Sequence, residues 1–358
     1  MSIKKIAKEA GVSTATVSRV LNNPGYKCSS EELRERIWKI ARELNYMPNE
    51  AARNLKKGIT DTSQKVWYLD VLMTRTGNLE TDPFFSELLR VIESEIHRQG
   101  CILMHIFHQP LFSNDRKCRT ENIDKVIAQM EPDGEIRSDG LIIIGKCNDN
   151  VLKKLSAKYR SIVSVNRNST NYLVDEVICD GKRIAAMAVE YLIGLGHRKI
   201  GYVGDCHNES RYKGYQDTLF QYGIDMDISF VIEAEHTEAE GYAVMERLIQ
   251  RGDAPTAIYC ANDMIAIGML KCLNKYKNRY YVPSIISSDD IEEAQYTRPM
   301  LTTVRLPKEE MGKFALYLLI DRLSGGHKGI VRTELEGKLM IRESCTLVEN
   351  ANRMEYYI

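Results

Sequence analysis

The feature that most constrains the fold is an alternation of apolar strands and amphipathic helices, which begins at Val66 and continues to about residue 275. Residues 141–145 are continuously apolar, whereas residues 83–99 carry apolar side chains at helical spacing. Continuous apolar strands between amphipathic helices indicate a parallel sheet that is covered on both faces. There are too many strands for one sheet, so the pattern predicts two doubly wound α/β lobes.

The first 46 residues follow a different pattern, with three short predicted helices. Apolar residues at helical spacing predict a first helix that ends at Gly11, because glycine adopts a left-handed conformation at little cost. Ser13 is a suitable N-cap for a second helix at 14–21, and a capping box that begins at Ser29 precedes a third helix at 30–45. This spacing of helices around a tight glycine turn is typical of a helix-turn-helix.

The helix-turn-helix predicts which residues contact DNA. In this motif the second helix lies in the major groove, and its N-terminal residues reach the bases. Threonine and alanine can touch a thymine methyl group, whereas arginine can bond guanine or a phosphate. Polar residues near the end of the helix are suited to phosphate contacts. The predicted DNA contacts are Thr14, Ala15, Thr16, Ser18 and Arg19, with Asn22 and Tyr26 at phosphates.

Charge is distributed unevenly along the chain, although the net charge is zero. Residues 1–58 contain 12 lysines and arginines against 6 acidic residues, whereas residues 59–358 contain 37 against 43. A basic head on an acidic body indicates a polyanionic partner for the head. Charge alone leaves open a solvated basic helical domain without such a partner.

Several segments resemble one known family. Residues 6–22 (IAKEAGVSTATVSRVLN) are similar, almost residue for residue, to the signature of the lactose-repressor/galactose-repressor family of transcriptional regulators. Residues 44–49 (LNYMPN) are similar to the segment that leads into its hinge helix, and residues 82–85 (DPFF) to the start of its first core helix. The resemblance covers residues 3–348, and the core is most similar to repressors of β-galactosidase operons. It implies the fold of periplasmic sugar-binding proteins, with a ligand between the lobes.

The resemblance also implies a division of the chain. In the family, two hinge helices pair only on DNA, and a leucine of each wedges into the minor groove. Leu55 matches that leucine. The implied domains are a DNA-binding head (1–46), a hinge helix and linker (47–63), a core N-terminal subdomain (64–176 and 305–336), a core C-terminal subdomain (177–304 and 337–348) and a tail (349–358).

A sugar cleft needs donors and acceptors for hydroxyl groups and an aromatic face for the apolar side of the sugar. Candidates that match pocket positions of the family are Phe84 and Phe85 for stacking, and Asn166, Arg211, Asn262 and Asp289 for hydrogen bonds. His236 falls where relatives often have an aromatic residue, and Lys146 follows the apolar strand at 141–145. Many relatives have an aspartate where this chain has Asn166, which leaves the identity of the ligand open.

No motif favours catalysis. His105 and His108 are three residues apart on a predicted strand, so they point to opposite faces and do not share a metal. The HExxH, GxSxG and phosphate-loop motifs are absent from the sequence. We therefore predict no catalytic residue, no metal and no cofactor.

The sequence predicts a cytoplasmic protein with reduced thiols. Its nine cysteines are scattered and form no C-x-x-C pair, and it has neither an apolar run of membrane-spanning length nor a secretion signal.

These features lead to one functional hypothesis. The chain is expected to repress transcription by binding double-stranded operator DNA as a homodimer, because one head recognises only a half-site. A tetramer is left open, and no membrane partner is expected. A galactoside or related sugar, bound between the lobes, is expected to change operator affinity. The alternatives are a purine effector, a protein co-repressor, or a solute-binding protein without a DNA role.

Overall fold

The structure is a computed structural model that describes residues 3–22, 30–43, 66–75, 82–130, 137–207, 209–276 and 281–350. It divides into two compact units, Met1–Lys65 and Val66–Ile358, which we call the head and the core. In the described residues of both units, no helix is long and apolar enough to cross a membrane.

The head contains three helices, α1 (Ile3–Ala10), α2 (Thr14–Asn22) and α3 (Glu31–Glu43). Gly11 ends α1 at a φ of 68°, in the left-handed region, as predicted. The Ser13 hydroxyl oxygen accepts a hydrogen bond from the Thr16 amide at 3.1 Å, which confirms the predicted N-cap. The three helices enclose a small apolar core that consists of Ile6, Ala7, Ala10, Val17, Val20, Ile37 and Ile40.

The N-terminus of α3 differs from the prediction in its capping residue. The Ser30 hydroxyl oxygen accepts a hydrogen bond from the Leu33 amide at 3.2 Å, so Ser30 occupies the capping position. The predicted capping residue, Ser29, lies outside the described residues. The two serines are adjacent, and a cap needs its oxygen three residues before the amide that it satisfies, so the sequence pattern left the choice open.

The core contains two six-stranded sheets, each of which forms the centre of one lobe. The first sheet has the order β11-β5-β4-β3-β1-β2, and all its neighbours are parallel. Its strands are β1 (Tyr68–Met73), β2 (Ile102–His108), β3 (Gly140–Ile144), β4 (Ser161–Asn166), β5 (Asp175–Ile178) and β11 (Arg332–Glu334).

The second sheet has the order β12-β10-β9-β8-β6-β7. Its neighbours are parallel except for β10 and β12, which are antiparallel. Its strands are β6 (Ile200–Gly204), β7 (Val231–Glu233), β8 (Ala257–Cys260), β9 (Ser284–Asp289), β10 (Thr302–Arg305) and β12 (Lys338–Met340). Two parallel-dominated sheets confirm the predicted fold class.

Helices connect most of the consecutive strands, whereas β4 and β5 are joined by residues 167–174 without a helix. The core helices are α4 (Pro83–Arg98), α5 (Asp115–Thr120), α6 (Ile123–Ala128), α7 (Asp149–Ser156), α8 (Gly181–Gly194), α9 (Ser210–Gln221), α10 (Glu238–Ile249), α11 (Asp263–Tyr276) and α12 (Lys308–Leu323). Helix α12 packs on α4 and on the first sheet, although it follows β10 of the second sheet. The chain therefore returns to the first lobe at this point.

The chain crosses between the lobes after Ile178, after Arg305 and between Glu334 and Lys338. The subdomain boundaries that we expected at 176 and 304 fall inside β5 and β10. Both strands continue to pair up to their last residues, Ile178 with Asn166 and Arg305 with Asp289. The first two crossings therefore lie two residues and one residue further along the chain, and the division into subdomains itself remains a proposal.

Candidate DNA-binding surface and ligand cleft

Helix α2 presents a polar face to solvent and an apolar face to the head core. Val17 and Val20 are buried, whereas Thr14 and Arg19 are exposed and Thr16 is partly buried. Among the remaining predicted contacts, the side chains of Ala15, Ser18 and Asn22, and all of Tyr26 and Leu55, lie outside the described part of the chain. The described side chains are arranged as DNA contacts of a recognition helix would be.

Residues that follow the strands of both sheets converge between the two lobes of the core, in a region that we call the cleft. Arg75 follows β1 and Arg167 follows β4, both in the first lobe. His236 follows β7, Asn262 follows β8 and Asp289 ends β9, all in the second lobe. The carboxyl ends of parallel strands lie at the same edge of a sheet, which is where open α/β folds bind ligands.

His236 lies between two guanidinium groups. Its Nδ1 is 2.6 Å from Nη2 of Arg75 in the other lobe, and its Nε2 is 3.1 Å from Nη2 of Arg211. Burial lowers the pKa of His236 well below its usual value, and the charges of both arginines lower it further, so the imidazole is neutral. A neutral imidazole has a single acceptor nitrogen, so it accepts a hydrogen bond from only one of the two arginines.

Arg211 is almost completely buried, with 1% of its surface exposed. Its Nε donates to Oε1 of Glu209 at 2.9 Å, and its Nη1 donates to the carbonyl oxygen of Ala261. Burial alone would raise the pKa of Glu209, but the charge and hydrogen bond of Arg211 outweigh it and hold that pKa well below its usual range. Two of the three guanidinium nitrogens of Arg211 are therefore used inside the second lobe.

An ion pair between Arg167 and Asp289 joins the two lobes. Nη2 of Arg167 is 2.5 Å from Oδ1 of Asp289, and the guanidinium carbon lies 4.2 Å from the ring centre of Phe84. Phe84 in turn contacts Phe85 edge to face at 5.2 Å. Burial raises the pKa of Asp289 to about 6, although the charges of Arg167 and Arg211 oppose this shift. Arg167 thus connects the predicted aromatic pair to the predicted acid.

Further polar contacts hold the lobes together around this pair. The Ser210 hydroxyl donates to the carbonyl oxygen of Arg167 at 3.1 Å, across the cleft. Nζ of Lys308, from the first lobe, donates to the carbonyl oxygen of Asp290 in the second lobe at 3.1 Å. Both bonds are polar, and each joins a residue of the first lobe to a residue of the second.

Asn262, which we expected to contact the ligand, uses its side chain within the second lobe. Its Nδ2 donates to the carbonyl oxygen of His236 at 3.3 Å, and its Oδ1 accepts from the Ile265 amide at 3.1 Å. It therefore positions the loop that carries His236 and caps the first turn of α11. The geometry brings Asn262 to the cleft, where each of its polar atoms makes one hydrogen bond within the second lobe.

Lys146 and Asn166 lie to one side of the other predicted residues. They line a groove of 1140 Å³ together with Arg167, Ser210 and other residues. Phe84, Phe85, Arg211, His236, Asn262 and Asp289 are not among the described residues that line this groove. Oδ1 of Asn166 accepts a hydrogen bond from the Arg167 amide at 2.7 Å, so this side chain shapes the loop after β4.

Three residues of the cleft were missing from the predicted site: Arg75, Arg167 and Glu209. Arg167 directly follows β4 and Arg75 is the second residue after β1, so the rule that strand ends face the crevice could have identified them. Glu209 stands two residues before Arg211, but nothing in the sequence shows that it pairs with the buried guanidinium. Nδ1 of His105 lies 3.1 Å from Oδ1 of Asp70 on the neighbouring strand. In the described residues, no group of three histidine, cysteine, aspartate or glutamate side chains could hold a metal ion.

A helix-turn-helix head combined with a two-lobed α/β core defines a class of ligand-responsive DNA-binding regulators. Residues 2–49 match the family described as bacterial regulatory proteins, lacI family, and residues 189–345 match the periplasmic binding protein-like domain. The HTH-type transcriptional repressor MelR of Bacillus subtilis (strain 168) is 31% identical over 357 residues, which cover 96% of this chain and 97% of that relative. The chain therefore belongs to the LacI family, and it is a DNA-binding transcriptional repressor rather than an enzyme.

Other similar proteins agree with this assignment. The HTH-type transcriptional repressor PurR of Haemophilus influenzae (strain PittEE) is 29% identical, covering 96% of this chain and 98% of the relative. Two solved structures share the fold at 22% sequence identity. A transcriptional regulator CelR–cellobiose complex has a TM-score of 0.65, covering 96% of this chain and 100% of that chain. A lac repressor dimer bound to operator and the anti-inducer ONPF has a TM-score of 0.64, covering 97% of this chain and 99% of that chain.

Proposed function

We propose that this repressor binds a specific operator as a homodimer, and that a small sugar bound between the core lobes changes its affinity for the operator. The observation that carries the proposal is the direct bonding of the two lobes by Arg167 with Asp289 and by Arg75 with His236. A ligand that binds among these groups alters the bonds between the lobes. Solved proteins of this fold that are bound to cellobiose and to ribose support a sugar as the ligand.

The head supplies the DNA contacts in this proposal. Thr14, Thr16 and Arg19 project from α2 beside its buried apolar face, as base and phosphate contacts require. The remaining proposed contacts are Ala15, Ser18, Asn22, Tyr26 and the hinge residue Leu55. Two heads are needed because one helix-turn-helix recognises a half-site, and the solved lac repressor dimer bound to operator supports this stoichiometry.

The cleft supplies the ligand contacts. Phe84 offers an aromatic ring at the cleft, Asp289 offers acceptor atoms, and Arg211 and His236 offer donors. Phe85 supports the ring of Phe84, Asn262 and Asn166 position the loops around the cleft, and Lys146 lines the neighbouring groove. A ligand shifts operator affinity only if it binds the operator-competent arrangement of the lobes differently from the other, and such coupling is typically about 1–3 kcal/mol.

The test is fluorescence anisotropy with the full chain and a labelled probe from the region upstream of its own gene. Galactosides, glucosides and purines are added one at a time, and purines are included because of the similarity to PurR. The variant Arg19→Ala removes a proposed DNA contact, and Arg183→Ala on the exposed surface of α8 serves as its matched control. Salt is varied because phosphate contacts make specific binding salt-dependent.

We expect saturable, salt-sensitive binding that one sugar changes, that Arg19→Ala weakens and that Arg183→Ala leaves intact. A change caused only by a purine would replace the sugar with the purine alternative. Specific binding that no small molecule alters would contradict the effector and favour a protein co-repressor. Absence of specific binding under all conditions would contradict the operator and leave a solute-binding protein.

A further inference from the structure

We propose that the ligand of the cleft carries an oxyanion, either a carboxylate or a phosphate group, and that this group binds Arg75. The inference rests on the function proposed above and specifies the chemical class of its ligand. It follows from an excess of positive charge and of hydrogen-bond donors in the cleft.

The side chain of Arg75 is directed into the cleft by its neighbours. Thr74 is fully buried, and its hydroxyl donates to the carbonyl oxygen of Ile144 at 3.1 Å, which fixes the chain after β1. Gly145 packs against this turn: a Cβ atom there would lie 2.7 Å from Oγ1 of Thr74 and 3.0 Å from Cγ of Arg75. Gly145 also has a φ of 102°. A glycine at this position thus leaves the room that the Arg75 side chain occupies.

Arg75 has no acidic partner among the described residues. Arg211 is paired with Glu209, and Arg167 is paired with Asp289. The hydrogen-bond partner of Arg75 is the neutral His236, at 2.6 Å. Glu209 acts on Arg75 only at longer range, as does Asp205. Burial lowers the pKa of Arg75, and the charges of Arg211 and Arg167 lower it further, but an arginine remains protonated in proteins. Among the described residues, one positive charge in the cleft is therefore without a paired counter-charge.

The donors of the cleft also outnumber its acceptors. His236 can accept from Arg75 or from Arg211, but not from both, so one guanidinium nitrogen faces an N–H group. Nε of Arg167 is buried without a hydrogen-bond partner, in a residue that is only 7% exposed. Nε of Arg167 has lost water without gaining an acceptor, and the guanidinium nitrogen that faces the N–H group of His236 also lacks one, which is unfavourable until a ligand supplies acceptors.

An oxyanion supplies the negative charge and the hydrogen-bond acceptors that the cleft lacks. A carboxylate or phosphate offers several lone pairs to a guanidinium, forms paired charge-assisted hydrogen bonds with it and brings the missing negative charge. The hydroxyl groups of a neutral sugar bring donors as well as acceptors and no charge. The Phe84 ring and the Asp289 carboxylate already contact Arg167, so they hold this arginine beside the proposed oxyanion site.

The experiment is isothermal titration calorimetry of the full chain with ligands that share a carbon skeleton. The probes are galactose, galacturonate and galactose 6-phosphate, and then glucose, glucuronate and glucose 6-phosphate. The variants are Arg75→Gln and Arg75→Lys, with Arg183→Gln as a control, because Arg183 is exposed and lies on the surface of α8. Thermal unfolding of each variant in buffers with and without inorganic phosphate provides a readout that needs no knowledge of the sugar.

We expect one acidic probe to bind at least about tenfold more tightly than its neutral parent, because a hydrogen bond to a charged group contributes more than a neutral one. Comparison of the uronates with the sugar 6-phosphates then shows whether the oxyanion is a carboxylate or a phosphate. Arg75→Gln should weaken that binding about 10- to 100-fold and abolish the stabilisation by phosphate, whereas Arg183→Gln should change neither. Arg75→Lys should recover part of the loss, because it restores the charge without the planar group.

Equal or tighter binding of the neutral sugars would overturn the inference, as would failure of every acidic probe to bind or an unchanged affinity in Arg75→Gln. Operator binding by the same preparations, measured without ligand, shows whether the proposed function holds. A chain that binds its operator but no acid retains the repressor function and loses this inference. A chain that binds an acid through Arg75 but binds no operator retains this inference and loses the proposed regulatory role.

Discussion

Replacement of Arg211 with methionine tests whether this arginine is held by charge compensation inside the second lobe. Arg211 is 1% exposed, and its loss leaves the Glu209 carboxylate and the Ala261 carbonyl oxygen buried without their donors. Breaking a buried ion pair by removing one partner costs about 3–5 kcal/mol. For a domain of this size each kcal/mol lowers the melting temperature by about 2–4 °C, so we expect the core to melt roughly 6–20 °C lower.

A second variant identifies the charge on Glu209 as the source of this cost. Glu209 accepts a hydrogen bond from the Arg211 amide at 3.2 Å and caps α9, and a glutamine retains the accepting oxygen. In the Arg211→Met background, Glu209→Gln removes the uncompensated charge and should restore about 1–3 kcal/mol. Glu209→Gln alone should be destabilising, because it leaves the buried Arg211 without its acid.

Thermal unfolding near neutral pH, followed by circular dichroism, measures all four proteins of this cycle. If Arg211→Met melts like the parent, or if the double variant is no more stable than Arg211→Met, Arg211 is not held by charge compensation with Glu209. The double variant has a second use, because it removes the guanidinium from a folded core. Its ligand affinity then reports whether Nη2, which faces His236, contacts the ligand.

Three further variants test separate parts of the fold. Gly241→Ala should destabilise the core by about 1–3 kcal/mol, because a Cβ atom there would lie 2.0 Å from the carbonyl oxygen of Ile265. Denaturant unfolding measures this loss, and an unchanged unfolding midpoint would show that α10 and α11 can separate freely. Burial and a neighbouring acid raise the pKa of Asp263 to about 7, above its value in the unfolded chain, so the folded protein should gain stability as the pH falls from about 8 to about 5. Asp263→Asn should reduce that gain in melting temperature, and a gain of equal size in the variant would assign it to other groups. Ser13→Ala should weaken α2 by about 1 kcal/mol and reduce operator affinity, while the core melts as before; undiminished operator affinity would show that the bond from Thr16 contributes nothing.

The head and the larger core elements were predictable because local rules determine them. Gly11 and Ser13 mark the turn and the second helix through their own backbone and side-chain chemistry. The continuous apolar run of β3 indicates a buried parallel strand wherever it occurs. By contrast, β11 and β12 are three residues long, and neither has a fully buried residue. Such short strands show no period, and their pairing depends on which lobe the chain has reached.

The site was predictable only in part, for a different reason. Phe84, Arg211 and Asp289 were identified through a family resemblance, and the structure brings all three to the cleft. Arg75 and His236 are 161 residues apart in sequence and belong to different lobes, so no local pattern reports their contact. Asn262 was expected to contact the ligand, but its partners are the His236 carbonyl and an amide of its own helix. The residue type at a position shared with the family does not show which of its polar atoms remain available to bind a ligand.

Arg75 and Arg211 contact the same imidazole from opposite sides, yet the structure implies opposite effects on stability when either is removed. Loss of Arg211 leaves an acid uncompensated, whereas loss of Arg75 removes a cation that has no acid partner among the described residues. A charge that is partly withdrawn from water and has no acidic partner among the described residues is unfavourable, so Arg75→Gln should melt no lower than the parent protein in the absence of ligand. The melting temperatures of Arg75→Gln and Arg211→Met, measured side by side without ligand, therefore distinguish an arginine that serves ligand binding from one that stabilises the fold. If both variants melt at lower temperature by similar amounts, Arg75 stabilises the closed lobes through His236, and the need for an acidic ligand disappears.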